Sequence, residues 1–343
     1  MKPLVELIRP NIWNLKHYNK RCNYLCEQDI HVFLDANENP YNKPFNRFPD
    51  SFQRDLKKRM AIVKGVRDEQ VFLSNGLDEA IDVIYRCFVN PQSDNVVAIA
   101  PTYGMYKVCA DINDVEYRSV LLDDEFQITA HKLLNACDSN TKVIWLCSPN
   151  DPTGNNISHE EIEKTLESFD GIVVVDESYS DFSQEKPFRS ELDKFPNLIV
   201  LNSFNNAWGA ASIQLGMAFA HRDIIDVFNK VKYPYNINSL TQNKAYELLK
   251  DPYEVDNWVR LLLLERGRMI DAFKMLPSCK KVYPTNANFF LAEMTDAQRV
   301  YDYLLKRGIA VKNCTDIALC ENCLRITVGA KSENNELLAA LRL

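Results

Sequence analysis

The chain has 343 residues, with 40 lysines and arginines against 47 aspartates and glutamates and a net charge of −7, which leaves no basic footprint for nucleic acid. Hydrophobic residues at 46% and charged residues at 25% are ordinary for a globular protein long enough to build two domains, and no short-period repeat points to a solenoid. No apolar run approaches the ~20 residues that span a bilayer. The start, MKPLVELIRPNIW, lacks the uninterrupted apolar stretch of a signal peptide, so a cytoplasmic protein with a small-molecule ligand is expected, with neither membrane nor nucleic acid as partner.

The first 30 residues carry Pro3, Pro10 and Trp13 before any regular pattern and are expected to form an arm packed across a domain or subunit junction. Residues 31–250 read as a large domain in which β-rich runs at 71–73, 96–100, 143–147, 172–175, 198–201 and 216–220 alternate with helical patterns. That order predicts a doubly wound α/β sheet with buried, mainly parallel strands. Residues 251–343, after the junction Asp251-Pro252, read as a smaller α+β domain: a helix over 254–275, a strand over 288–293, a helix over 296–307 and a strand over 324–328.

Ligands of such sheets bind beyond the carboxyl ends of the strands. The predicted strands lead there into polar turns: Ser74-Asn75-Gly76, Pro101-Thr102-Tyr103, Ser148-Pro149-Asn150, Asp176-Glu177 and Asn202-Ser203. The step from Ser74-Asn75-Gly76 into Leu77-Asp78-Glu79-Ala80 starts an amphipathic helix, whose free N–H groups suit phosphate; an ordinary capped βα turn reads the same way. In Leu324-Arg325-Ile326-Thr327-Val328 the apolar residues share one face and Arg325 takes the other, either as an anion clamp or as a surface arginine. The ten cysteines, such as Cys87 and Cys147, lie mostly in apolar patterns and read as reduced core thiols. Cys320 and Cys323 form a CxxC near Cys314, but Cys22 and Cys26 supply no second pair at zinc-finger spacing, and no metal is expected.

Taken together, Leu34-Asp35-Ala36-Asn37-Glu38-Asn39-Pro40, Asn46-Arg47-Phe48-Pro49, Pro101-Thr102-Tyr103-Gly104-Met105-Tyr106, Ser148-Pro149-Asn150, Asp176 with Tyr179, and Cys323-Leu324-Arg325-Ile326-Thr327-Val328-Gly329 resemble histidinol-phosphate aminotransferases, of the fold-type I pyridoxal-phosphate group. The resemblance runs through nearly the whole chain. It implies that Asp176 pairs with the cofactor's pyridine nitrogen, that Asn150 and Tyr179 bond its ring hydroxyl, and that Tyr103 stacks on the ring. The helix start at Leu77-Asp78 would hold the phosphate, with Ser203 and Asn205 beside it, and Asn37 and Arg325 would meet the substrate. A two-fold homodimer is implied as well.

The same resemblance exposes departures. Where the family has Ser-Lys, and the lysine bonds the cofactor and then moves a proton, this chain has Asn205-Asn206. An amide nitrogen is neither nucleophilic nor basic. Gln214 replaces an arginine that faces the cofactor phosphate, a loss of ~1–2 kcal/mol in anion binding. Phe48 replaces a tyrosine that reaches a neighbouring subunit's phosphate, Leu77 fills a position usually small, and Asp151 replaces an asparagine. Three readings follow: an aminotransferase-derived protein with impaired or no turnover, a noncatalytic binder of pyridoxamine phosphate or another phosphorylated small molecule, and a scaffold for assembly. Covalent attachment of pyridoxal phosphate is not expected.

Overall fold

The computed structural model describes residues 2–16, 18 and 30–342. Strands β1 (Val71–Asn75), β2 (Asn95–Ala100), β3 (Glu116–Leu121), β4 (Thr141–Cys147), β5 (Ile172–Asp176), β6 (Leu198–Ser203) and β7 (Leu215–Ala220) form one sheet in the order β1-β7-β6-β5-β4-β2-β3. The pairs β3/β2, β2/β4, β4/β5 and β5/β6 are parallel, whereas β7 runs antiparallel to both β6 and β1. Six strands fall where the apolar runs placed them. The seventh, β3, had no such run: Glu116, Tyr117 and Arg118 give it a polar, edge-strand character that periodicity does not pick out.

Side-chain parity sorts each buried strand onto two faces. In β4, Val143, Trp145 and Cys147 point to the face covered by helices Gly76–Phe88, Met105–Ile112 and Arg222–Val231, while Ile144 and Leu146 point to the face covered by Arg54–Lys64 and His159–Ser168. In β5, Ile172 and Val174 take the first face and Val173 and Val175 the second. Parity then delivers Asp176 to the face of Trp145 and Cys147, and Glu177 to the opposite one.

A close backbone approach fixes the start of the Gly76–Phe88 helix. Gly76 has φ +74°, a conformation open to glycine at little cost. A Cβ on Gly216 would lie 2.4 Å from the Gly76 carbonyl oxygen and 2.7 Å from the Leu77 nitrogen, so the first strand of residues in β7 passes directly beneath this turn.

The arm's described part lies on the large sheet's own helices. Leu7 and Ile8 join the core under Gly76–Phe88, and the Arg9 side chain donates to the Arg86 carbonyl at 3.2 Å. Its remainder, with Cys22 and Cys26, lies outside the described residues.

Helix Pro252–Lys274 opens with Pro252 in its first turn and with Asp251 accepting from Glu254 N, which explains why the pattern changes there. Beyond it, β8 (Cys279–Val282), β9 (Phe289–Met294), β10 (Lys312–Asn313) and β11 (Cys323–Thr327) form an antiparallel sheet in the order β10-β11-β9-β8. Leu324, Ile326 and Val328 are buried together in its core while Arg325 stands on the other face, as alternation predicts. The two sheets meet where Asn286 N donates to Gly154 O at 2.7 Å and Arg325 reaches Asp151.

Candidate active site

Five strand ends of the large sheet converge on one cavity of about 120 Å³. The β1 turn supplies Leu77 and Asp78, the segment after β2 supplies Tyr103, and β4 with its following turn supplies Cys147 and Asp151. The end of β5 adds Asp176, Ser178 and Tyr179; the end of β6 adds Ser203, Asn205 and Asn206. Gln214 enters from the start of β7, which lies at this edge because that strand is antiparallel. Among the described residues, no Lys, Arg or His lines the cavity.

Asp176 is almost fully buried, 2% exposed. Its Oδ2 accepts from the Tyr106 hydroxyl at 2.7 Å, and its Oδ1 accepts from the Ser178 backbone N–H at 2.9 Å and hydroxyl at 2.6 Å. Burial raises the Asp176 pKa; the bonds from Ser178 and Tyr106 pull against that, and nearby Asp151 adds to it. Tyr106 is itself fully buried, stacked on Trp145 with ring centroids 4.9 Å apart, and Trp145 stacks in turn on Tyr85 at 5.4 Å.

The two aromatic walls are tied to carboxylates. The Tyr103 hydroxyl donates to Asp78 at 3.1 Å, and the Tyr179 hydroxyl donates to Asp151 at 3.4 Å, with its ring edge-on to Phe289. Burial raises the pKa of both phenols. Asp151 also accepts from Arg325 Nη1 and has Lys312 Nζ at 3.9 Å, while the Arg325 guanidinium lies 5.0 Å over the Phe289 ring. Arg325 therefore borders the cavity through Asp151.

Asn150 does not line the cavity. Its side chain is fully buried, and its Nδ2 donates to Pro101 O at 2.9 Å and Thr153 Oγ1 at 2.8 Å while its Oδ1 accepts from Thr102. The neighbouring Asp151 faces the cavity in its place. Asn37 and Phe48 also lie elsewhere, in a surface cleft of about 490 Å³ with Arg47 and Leu240, where Phe48 stacks on Tyr235 at 4.6 Å. The other nine expected residues that meet here are Leu77, Asp78, Tyr103, Asp176, Tyr179, Ser203, Asn205, Asn206 and Gln214.

Asn206 donates from Nδ2 to the Ser178 carbonyl at 3.0 Å, and the Asn205 backbone N–H lies 3.4 Å from Ser203 Oγ. Gln214 turns its amide nitrogen back onto Ala211 O at 2.7 Å and holds its Oε1 towards Gly76, 3.0 Å from where a Cβ would stand. Sequence reasoning named Asp151 among the departures but missed Cys147 and Ser178 as lining and Tyr106 as the partner of Asp176. Tyr106 ends the quoted motif that starts at Pro101, Ser178 lies between Asp176 and Tyr179, and strand parity puts Cys147 on the face of Asp176.

Comparison with known proteins follows the same geometry. Residues 22–341 match the family described as aminotransferase class I and II. Over 342 residues the chain is 56% identical to a histidinol-phosphate aminotransferase of Bacteroides fragilis strain YCH46, covering 100% of this chain and 99% of the relative. Among solved structures, histidinol-phosphate aminotransferase from Clostridium acetobutylicum superposes with a TM-score of 0.80 at 22% identity, covering 88% of this chain and 91% of that one. The enzyme from Sinorhizobium meliloti in complex with pyridoxal-5'-phosphate superposes with a TM-score of 0.78 at 19% identity, covering 100% of this chain and 96% of that one. The structures share the fold, a large mixed sheet with a smaller sheet beyond it, and by its sequence the chain belongs to the histidinol-phosphate aminotransferase family, within the class I and II aminotransferases.

Proposed function

We propose that this chain is a histidinol-phosphate aminotransferase homologue that does not transaminate, and that its cavity serves noncovalent ligand binding. The observation that carries the reading is the absence of any lysine or arginine among the described residues lining the cavity. Asn206, at the position the family resemblance gives to the Schiff-base lysine, has its amide occupied by the Ser178 carbonyl. The proposal includes a cytoplasmic homodimer with a large domain over residues 31–250 and a small one over 251–343.

Pyridoxal phosphate, the family's group, requires three things of a chain: an acid for the ring nitrogen, an amine for covalent attachment, and positive charge at the phosphate. Asp176 meets the first. The second and third are unmet, because Asn206 and Gln214 are neutral amides and three carboxylates, Asp78, Asp151 and Asp176, line the same cavity. The residues present do not fit the group as the family uses it. Lys232, another lysine near in sequence, is committed elsewhere: its Nζ donates to Ser51 O at 2.6 Å and reaches Asn236 Oδ1 at 3.3 Å.

The test is an absorbance titration with pyridoxal phosphate followed by borohydride reduction, intact mass and peptide mapping. The expected outcome is no adduct within the cavity of the protein as it stands, and an adduct at position 206 once Asn206→Lys is combined with Gln214→Arg. A reduced adduct on a lysine of the unsubstituted protein, together with turnover of histidinol phosphate and 2-oxoglutarate, overturns the reading.

A further inference from the structure

We propose that the cavity selects a small protonated aromatic amine or nitrogen heterocycle and rejects its phosphate ester. The proposal rests on the noncatalytic reading and names the ligand class of that site.

Asp151 is compensated by Arg325, with Lys312 at 3.9 Å, but among the described residues Asp176 and Asp78 have only hydroxyl or backbone donors. Asp176 is an almost fully buried carboxylate with no cationic partner among those residues, an arrangement that is costly unless the carboxylate takes a proton or meets a positive N–H donor. A protonated ring nitrogen or ammonium group satisfies it. The aromatic walls add to the preference: Tyr103 and Tyr179, each anchored through its hydroxyl, offer rings beside which a cation is favoured.

The opposite end of the cavity offers an anion fewer donors than an unoccupied helix start does. A helix start attracts phosphate because its first N–H groups are free. Here the N-cap Asn75 N–H is taken by the Glu79 carboxylate and the Gly76 N–H by the Gln214 carbonyl, which leaves the N–H groups of Leu77 and Asp78, with the Asp78 carboxylate beside them. Glu79 is held in that position by Asn236 Nδ2 at 3.1 Å. Gln214 presents its amide oxygen to the turn while its nitrogen is bonded to Ala211, so a phosphate arriving there meets acceptors and carboxylates. The cavity, about 120 Å³, is also small beside the roughly 300–1,000 Å³ of pockets that enclose larger ligands, which favours one ring without a phosphate arm.

The experiment compares pyridoxamine with pyridoxamine 5'-phosphate, a pair that differs only in the phosphate, by calorimetry and thermal shift on the full chain. Pyridoxamine is expected to bind saturably and about tenfold or more tighter than its phosphate ester. Gln214→Arg is expected to narrow or reverse that ratio, and Asp176→Asn to weaken pyridoxamine by about tenfold while leaving the melting profile cooperative. Equal or tighter binding of the phosphate ester, or no saturable binding of pyridoxamine to the folded protein, overturns the proposal. Should Asp176→Asn fail to fold, the exposed Gln214→Arg variant still decides it. Tight phosphate binding without a covalent adduct sinks only the ligand class, whereas an adduct at a cavity lysine with turnover sinks the noncatalytic reading.

Discussion

The two ends of the cavity are built differently. At the Asp176 end, the carboxylate, Tyr106, Trp145 and Tyr85 form one buried stack and hydrogen-bond chain within the core, so every side chain there also packs the fold. At the Gln214 end, Asn205, Asn206 and Gln214 sit on turns and Leu77 opens the Gly76–Phe88 helix, all of them half-buried or exposed. An exposed side chain such as that of Gln214 can change with little effect on stability. The departures that the family resemblance implies, at Leu77, Asn206 and Gln214, fall at this second end, and Asp176, which the resemblance gives to a ring nitrogen, stands at the first. A residue that serves both packing and a ligand is held by both demands, while one that serves a ligand alone is held by one.

Stability measurements test that contrast. Trp145→Ala removes the middle of the buried stack and is expected to cost about 3–5 kcal/mol, read as a large fall in the urea midpoint. Tyr106→Phe keeps the ring but strips one donor from buried Asp176, for an expected loss of about 1–3 kcal/mol with an unchanged urea slope. Gln214→Ala, at the other end, removes an exposed side chain bonded to nearby Ala211 and is expected to stay within about 0.5 kcal/mol. If Gln214→Ala proves as damaging as Tyr106→Phe, the division between a structural and a ligand-only end fails.

Much of this was readable in the sequence wherever one physical pattern dominated. The runs at 71–73, 143–147 and 172–175 have apolar side chains on both faces, which a strand buried on both sides requires. Arg325 was separable from its strand neighbours because alternation alone put it on the other face. Strand β3 escaped notice because Glu116, Tyr117 and Arg118 dilute its pattern at a sheet edge. Leu7 and Ile8 of the arm enter the large sheet's helix layer, a placement made by apolar contact rather than by any local signal.

Residue type and periodicity were enough for most of the strand and helix series, for the polar turns after the strands, and for the neutral amide at position 206. Tertiary structure decided the rest. Adjacent residues of one turn went opposite ways, Asn150 into the core with all its amide groups bonded and Asp151 into the cavity against Arg325. The antiparallel course of β7 brought Gln214 to the strand ends, and the tight passage of Gly216 beneath Gly76 set the helix start against it. Such choices depend on which distant donors, charges and backbones arrive nearby, and only the folded chain brings those together.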